Sequence, residues 1–560
     1  MIAAQKLDRA LGVRLAAALE ASWTTPALLV GLTGLSLFVR TRVLGGGFWI
    51  DEGISVGIAH HHLTSIPHLL REDGSPPLYY LLLGLWIRVF GEGESATHTL
   101  SLLFALGCIP LAYAVGRSLF GRLTGWCTAV LAAFDPFLTV YGQETRMYAL
   151  LAFLSLLATL AYVEGVVRGR RPWLVALAPI LAAMMYTHTW SLFFCVGLVV
   201  ATFLMARERL VPLLVAGAAA FVLYAPWVPT LIFQARHTGA PWAGTPSFQW
   251  LVLSAGTVLP DNGAVFAFAL VGGSALVRGL RGRLGEERRI VLLLAAAAGS
   301  AILLAWIVSF ITPEWTARYF AAVLAPLLLL AARGTVRAGR LGLAALIAIL
   351  FIWLGATLHD DKENARGLAA ALGPSLQPGE LVISTHPEQT PVLRYYLGTG
   401  LRWATTLGPV ADPQVFDWRD AVDRLRAAQP RPTLDSVLRN VRPGKEFIVI
   451  SPVFRDYRAW NAKWTRLVWR RSIAWTQLLA ADPRFRLVRH ITPNEIGAKR
   501  NYWKPLQAFV FKLVRSTPVR TLWHAPGGVS PPVAASSVAS IATAIEAPRV
   551  LPTNDDPSAG

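Results

Sequence analysis

Eleven runs of mostly apolar residues dominate the chain. They lie at about 24–43, 97–116, 123–140, 148–167, 173–187, 190–206, 211–232, 249–277, 290–311, 317–332 and 341–358. About 20 such residues are what an α-helix needs to cross the hydrocarbon core of a bilayer. Composition agrees: 54% of the 560 residues are hydrophobic and 15% charged, against roughly 25% charged in a soluble domain. The sequence therefore specifies a polytopic α-helical membrane protein, not a soluble enzyme or a disordered chain. Cys108, Cys127 and Cys195 all fall inside apolar runs, so no disulfide framework is expected.

The formal net charge of +19 becomes informative once it is divided. Residues 1–358 carry 25 basic and 16 acidic side chains, residues 359–523 carry 26 and 14, and residues 524–560 carry 1 and 3. This separates a membrane part (1–358), a basic C-terminal domain (359–523) and a Pro/Ala/Ser-rich tail (524–560) that reads as disordered. The basic residues do not gather on one polar face, so nucleic acid is not an expected partner.

Residues 76–90 (PPLYYLLLGLWIRVF) are apolar but short, open with two prolines and contain Arg88. If they lie along the interface, 18 of the 25 basic residues of the membrane part fall on one side. These are Lys6/Arg9/Arg14, Arg117/Arg122, Arg168/Arg170/Arg171, Arg207/Arg209, Arg278/Arg281/Arg283/Arg288/Arg289 and Arg333/Arg337/Arg340. The positive-inside rule makes that side cytoplasmic. It predicts eleven spans, a cytoplasmic N-terminus and an extracytoplasmic C-terminal domain in the cell membrane. The apolar run near the start is too long for a cleavable signal peptide.

This topology collects unusual polar residues on the outer face. The first outer loop holds Trp49-Ile50-Asp51-Glu52, His60–His62 and Asp73-Gly74-Ser75-Pro76-Pro77-Leu78-Tyr79-Tyr80. Later outer segments hold Glu144, Arg146 and Tyr148, then His188, the Trp- and Pro-containing loop 234–248, and Glu314 with Arg318 and Tyr319. Ionisable groups gathered at membrane ends mark a site. Plainer readings stand beside this one: Asp51 and Glu52 as solvated loop carboxylates, Glu144 and Arg146 in structural ion pairs, His188 as an interfacial histidine, Arg318 as a snorkelling helix end. His61 and His68, seven apart, are weak candidates for a metal site.

The ordered set of motifs resembles the GT-C superfamily of integral-membrane glycosyltransferases. The nearest likeness is to the glycosyltransferase family 39-like group, with the protein O-mannosyltransferases and the bacterial lipid A aminoarabinose transferases. It rests on the Asp51-Glu52 pair after the first span, the segment from Pro76-Pro77-Leu78-Tyr79-Tyr80 to Phe90-Gly91, and Glu144-x-Arg146-x-Tyr148. Ala317-Arg318-Tyr319 and the stretch from Glu380 to Gly398 extend it, so that it covers roughly residues 20–400. It implies a transferase using a polyprenyl-phosphate-linked sugar, with Asp51 as the catalytic carboxylate, Glu52 beside it, and Glu144 and Arg146 near the donor. A trefoil sugar-binding domain is not evident, so the acceptor is open among envelope lipid, glycan and protein.

The chemistry asks for the same residue types. Arginine grips phosphate bidentately, and a single carboxylate suffices as base when the leaving group is a phosphate. The expectation is transfer with inversion, Asp51 as general base, and Arg146 and Arg318 on the departing phosphate, with Arg40 and Arg42 as further candidates. Glu52 and Glu144 would orient these groups or the sugar; Trp49, Tyr79 and Tyr80 are acceptor or loop candidates. No cofactor is required, although a divalent cation could share the phosphate. The rival readings are a transporter or flippase of polyprenyl-linked sugars and a non-catalytic envelope assembly protein. The C-terminal domain reads as a small α/β unit from strand-like Leu381–Ser384 and Phe447–Ser451 and helical 418–428 and 462–479. Its Trp460, Trp464, Trp469, Trp475 and Trp503 suggest seating at the interface. Its net +12 suits either docking on a membrane surface or attraction of an anionic acceptor.

Overall fold

The computed structural model describes residues 23–252, 268–279, 285–355, 363–453, 462–496 and 505–514. The first basic cluster, part of the 249–277 run and the 524–560 tail lie outside them. Among the described residues six helical segments are long and apolar enough to cross a membrane: Thr24–Val43, Glu94–Phe120, Tyr148–Val167, Arg207–His237, Glu286–Val308 and Ala317–Arg337. The runs at 173–187, 190–206 and 341–358 appear as the shorter apolar helices Arg171–Thr187, Ser191–Met205 and Arg340–Gly355. The protein is a multi-pass membrane protein. The sequence reading of 123–140 as one helix is corrected: it is Arg122–Phe134 followed by Pro136–Tyr141. Pro136 forces Asp135 out of the helical region, and the Asp135 carboxylate caps the second piece by accepting from Leu138 N at 3.2 Å. Residues 76–90 form a 13-residue helix, Leu78–Phe90. At 1.5 Å per residue it is about 20 Å long, short of the roughly 30 Å core.

Among the described residues, several of the turns expected to share one side meet one another. Arg168 reaches Ser118 O at 3.0 Å, Glu164 at 2.6 Å and Glu286 at 2.8 Å. Arg333 and Arg337 both reach Glu287 at 2.6 Å, and Arg289 pairs with Glu208. Tyr148 begins the helix that ends at this basic rim, so its own end is the opposite one.

At that opposite end sits a six-stranded mixed sheet of order β3-β2-β1-β4-β6-β5. The strands are β1 Leu381–Ser384, β2 Arg402–Thr405, β3 Gly408–Val410, β4 Glu446–Pro452, β5 Phe485–Ile491 and β6 Leu506–Leu513. β1 is parallel to β2 and β4; the other pairings are antiparallel. Side chains alternate between two faces. Val382, Ile448 and Ile450 pack on helices Ala365–Leu372 and Thr390–Leu397, while Leu381, Ile383, Phe447 and Val449 pack on Pro430–Leu438 and Lys463–Ala481. Trp464 and Trp475 are wholly buried. Their expected interfacial seating is therefore corrected: they are core residues of Lys463–Ala481. Trp469 is half-buried, and Trp460 and Trp503 lie outside the described residues.

The sheet region is clamped onto the first long loop. Helix Ile50–His60 carries Gly53 and Gly57 one turn apart on one face. A Cβ on Gly53 would stand 2.6 Å from Val392 Cα, and one on Gly57 would stand 2.0 Å from Gln414 O. Only glycine allows this contact. Around it, His61 Nε2 meets Asp412 at 2.9 Å, Arg366 meets Glu94 at 2.9 Å, and Tyr396 donates to Glu94 at 2.9 Å while accepting from Phe48 N at 2.7 Å.

Candidate active site

Asp51 occupies the first turn of Ile50–His60, where the helix N-terminus favours negative charge. Its carboxylate is one-fifth exposed and lies 3.1 Å from Arg318 Nη1 and 3.8 Å from Arg146 Nη2. Arg318 comes from the tight turn Ala317–Val323 that opens a spanning segment. Its guanidinium lies 4.7 Å from the Trp242 ring centre and 5.5 Å from that of Trp49. Arg146 comes from the 142–147 turn. Its Nη1 donates to Asp51 O at 3.3 Å, Ser55 Oγ at 3.0 Å and Tyr80 Oη at 3.2 Å.

That turn is pinned by Glu52. Its Oε1 accepts from Thr145 N at 2.8 Å and bonds His98 Nε2 at 2.7 Å; its Oε2 accepts from Trp49 N at 3.4 Å. His98 Nδ1 bonds Leu44 O at 2.7 Å. Glu52 is fully buried and, unlike Asp51, is not among the residues that line the adjoining cavity. The following tyrosines serve the same end. Tyr79 Oη and Ser101 Oγ are 2.8 Å apart, Ser101 donates to Arg146 O at 3.0 Å, and Tyr80 donates to Ser75 Oγ at 3.1 Å.

A cavity of about 90 Å³ opens in front of Asp51, Arg146 and Arg318's neighbour Tyr319. Its remaining wall includes Asp73, Ser75, His188, Trp242, Glu314 and Trp418. Burial pushes the Asp73 carboxyl up to about 6 and that of Glu314 up to about 7. Burial, reinforced by Arg146 and Arg318, pushes His188 down to about 3, so its ring is neutral. Trp190 N donates to His188 Nδ1 at 3.2 Å, which leaves the ring proton on Nε2. The His188 and Tyr319 rings pack 4.3 Å apart. The site thus places a carboxylate between two guanidinium groups, with two carboxyls raised by burial and two indoles beside it, at one end of the bundle.

A family model described as dolichyl-phosphate-mannose-protein mannosyltransferase matches residues 74–232. Among solved structures, ArnT from Cupriavidus metallidurans in the apo state superposes with a TM-score of 0.55 at 14% identity, over 87% of this chain and 98% of that one. The same ArnT bound to undecaprenyl phosphate gives 0.54 at 14% identity, over 88% and 98%. The chain has the GT-C fold. The Archaeoglobus fulgidus oligosaccharyltransferase matches more loosely, with a TM-score of 0.46 at 12% identity over 77% of this chain and 70% of that one. No curated protein sequence matches.

Within this fold Asp51, Arg146, Tyr148, His188, Arg318 and Tyr319 converge. Tyr148 lies behind Arg146, whose guanidinium is 5.7 Å from its ring centre. Glu144 is buried in the same turn, outside the cavity wall. Arg40 and Arg42 stand elsewhere. Arg40 is buried at the end of helix Thr24–Arg40, giving Nη2 to Ala132 O at 2.7 Å, and Arg42 is exposed over Phe38. His61 is tied to Asp412 and His68 is exposed. Among the described residues no three His, Cys, Asp or Glu side chains gather to hold a metal ion. Asp73, Ser75 and Glu314 belong to the polar outer segments and Trp242 to the loop 234–248, but no sequence motif gives any of them a role. Trp418 could not be found that way, because it belongs to the C-terminal domain.

Proposed function

We propose that this protein is a membrane glycosyltransferase that moves a sugar from a polyprenyl-phosphate-linked donor to a hydroxyl acceptor. The observation that carries the reading is the Asp51 carboxylate between Arg318 and Arg146 on the wall of the cavity. Without substrate the two guanidiniums neutralise Asp51. A donor phosphate offers them a better bidentate partner, and its binding frees the Asp51 carboxylate to accept a proton. The acceptor oxygen then attacks the anomeric carbon, the bond from that carbon to the phosphate oxygen breaks, and polyprenyl phosphate leaves with the bonding pair. The acceptor proton passes to Asp51. Attack opposite the leaving group inverts the anomeric centre. Glu52 acts through the Thr145 backbone, and Tyr80 through Arg146, as positioning groups. The phosphate-carrying lipid named with ArnT supports a lipid-linked donor here.

The basic rim belongs to the cytoplasmic side and the C-terminal sheet to the extracytoplasmic side, by the positive-inside rule. Residues 1–358 form the catalytic membrane domain and 359–523 the outer domain. The test is reconstitution in liposomes with a polyprenyl-phosphate-linked hexose, reading transfer and the anomer formed. Asp51→Asn should reduce turnover by at least about 100-fold; undiminished transfer would remove Asp51 as base.

A further inference from the structure

Trp418 is the one wall residue of the cavity drawn from the C-terminal sheet region, among the residues that line it. The segment that carries it is bound to the membrane part at three points. Trp418 N donates to Glu72 O at 3.0 Å, Arg419 reaches the Glu72 carboxylate at 3.1 Å, and Asp420 N donates to His237 O at 2.7 Å. The first of these sets Trp418 beside the residue preceding Asp73. The indole is itself held: its ring centre lies 4.7 Å from that of Phe416 and 5.3 Å from that of Trp464, and Trp464 Nε1 donates to the Glu388 carboxylate. Trp418 is 7% exposed and is one of the residues that line the cavity.

The lining therefore combines two kinds of group. Arg146 and Asp51 bring charge, with Arg318 3.1 Å from Asp51. Trp418, Asp73 and Ser75 bring an indole, a carboxyl and a hydroxyl to the same space. A pyranose offers a matching pair of surfaces, an apolar face of C–H bonds and an edge of hydroxyls. Inorganic phosphate offers neither.

We propose that Trp418 and Asp73 form the subsite for the sugar ring of the donor, Trp418 stacking on its C–H face and Asp73 hydrogen-bonding its hydroxyls. The C-terminal domain is then part of the sugar-specificity site. This inference rests on the glycosyl-phosphate reading above.

The experiment uses the full chain in detergent with a fluorescent undecaprenyl phosphate as reporter. Inorganic phosphate, mannose 1-phosphate and glucose 1-phosphate compete against it. Wild type should bind a hexose 1-phosphate more tightly than phosphate. That advantage should fall about five- to tenfold in Trp418→Ala and Asp73→Asn, the range expected of a lost aromatic or hydrogen-bonded contact. It should return in Trp418→Tyr, which restores a ring, while the constants for phosphate stay unchanged in all variants. An unchanged advantage in Trp418→Ala and Asp73→Asn would overturn the subsite. An equal loss of phosphate and hexose-phosphate binding would also overturn it, since it marks a structural role. Wild type that binds phosphate without preferring the hexose phosphates overturns the subsite and leaves the glycosyl-phosphate reading standing. Wild type from which phosphate displaces no reporter overturns both.

Discussion

Glu52→Ala separates positioning from chemistry in the acidic pair. The Glu52 carboxylate is fully buried and serves Thr145 N at 2.8 Å, His98 Nε2 at 2.7 Å and, more weakly, Trp49 N at 3.4 Å. Hydrogen bonds to a charged group contribute about 1.5–3 kcal/mol each. Truncation also leaves the Thr145 amide and the His98 ring without that partner in a buried place. We expect a loss of about 3–5 kcal/mol, the range found when one partner of a buried polar pair is removed. Glu52→Gln keeps an acceptor for Thr145 and should lose about 1–2 kcal/mol. Cys108 and Cys127 are buried free thiols, so a thiol-reactive dye reports thermal unfolding in detergent directly. Glu52→Gln should melt earlier than wild type yet retain most transfer below its melting temperature, with the loss in turnover tracking the loss in stability. His98→Gln should reproduce part of the shift, and the double variant should be less than additive. If Glu52→Gln abolishes transfer while melting like wild type, Glu52 takes part in the reaction and the positioning argument is wrong.

Other outcomes follow from neighbouring geometry. Arg318→Gln should weaken displacement of a fluorescent undecaprenyl phosphate by phosphate about tenfold or more, as removal of a charge-assisted contact does; unchanged competition would detach Arg318 from the phosphate. Gly57→Ala must push its methyl against Gln414 O, 2.0 Å from the ideal position. It should cost about 1–3 kcal/mol and raise proteolysis at the junction with the C-terminal domain, with wild-type melting and proteolysis as the refuting result. The His61–Asp412 bridge should make that junction pH-dependent. The Asp412 hydrogen bond raises His61 above 6.5, so its contribution is complete below 6.5 and fades as pH rises through the folded value. The same bond holds Asp412 below 3.8 despite its burial, so its contribution is complete above 3.8 and fades as pH falls through the folded value. The bridge is therefore strongest between about pH 4 and 6.5. Hydrogen exchange across 412–416 should be slowest there, and Asp412→Asn should flatten the dependence.

The parts of the fold governed by local rules were legible in the sequence. Apolar run length located the helical segments, and charge alternation grouped the basic turns that Arg168, Arg333 and Arg337 now join. Where a run hid a break, the signal was present but outweighed: Asp135-Pro136 is both a helix stop and a helix start. In the sheet, β1 and β4 are short apolar runs, whereas β5 reads Phe-Arg-Leu-Val-Arg-His-Ile and takes its register from β6. The pairing with β6 comes from tertiary contact, which no window of sequence contains.

The same distinction runs through the site. Asp51, Arg146 and Arg318 announced themselves as charges at membrane ends, a cost that a chain bears only with partners or purpose. Glu52 announced itself equally, and only its three hydrogen bonds distinguish a buried strut from a reactive group. Arg40 looked like a donor ligand because its charge was counted, but its guanidinium is turned to the Ala132 carbonyl. Trp418 gave no signal, because an indole in a basic α/β domain looks like core or surface until the domain is seated. The two glycines that seat it, Gly53 and Gly57, lie on the helix that begins with Asp51. The helix that presents the carboxylate is thus also the one the C-terminal domain grips. A change at that contact should alter the position of Asp51 and of Trp418 together, so the proposed base and the proposed sugar subsite depend on one interface.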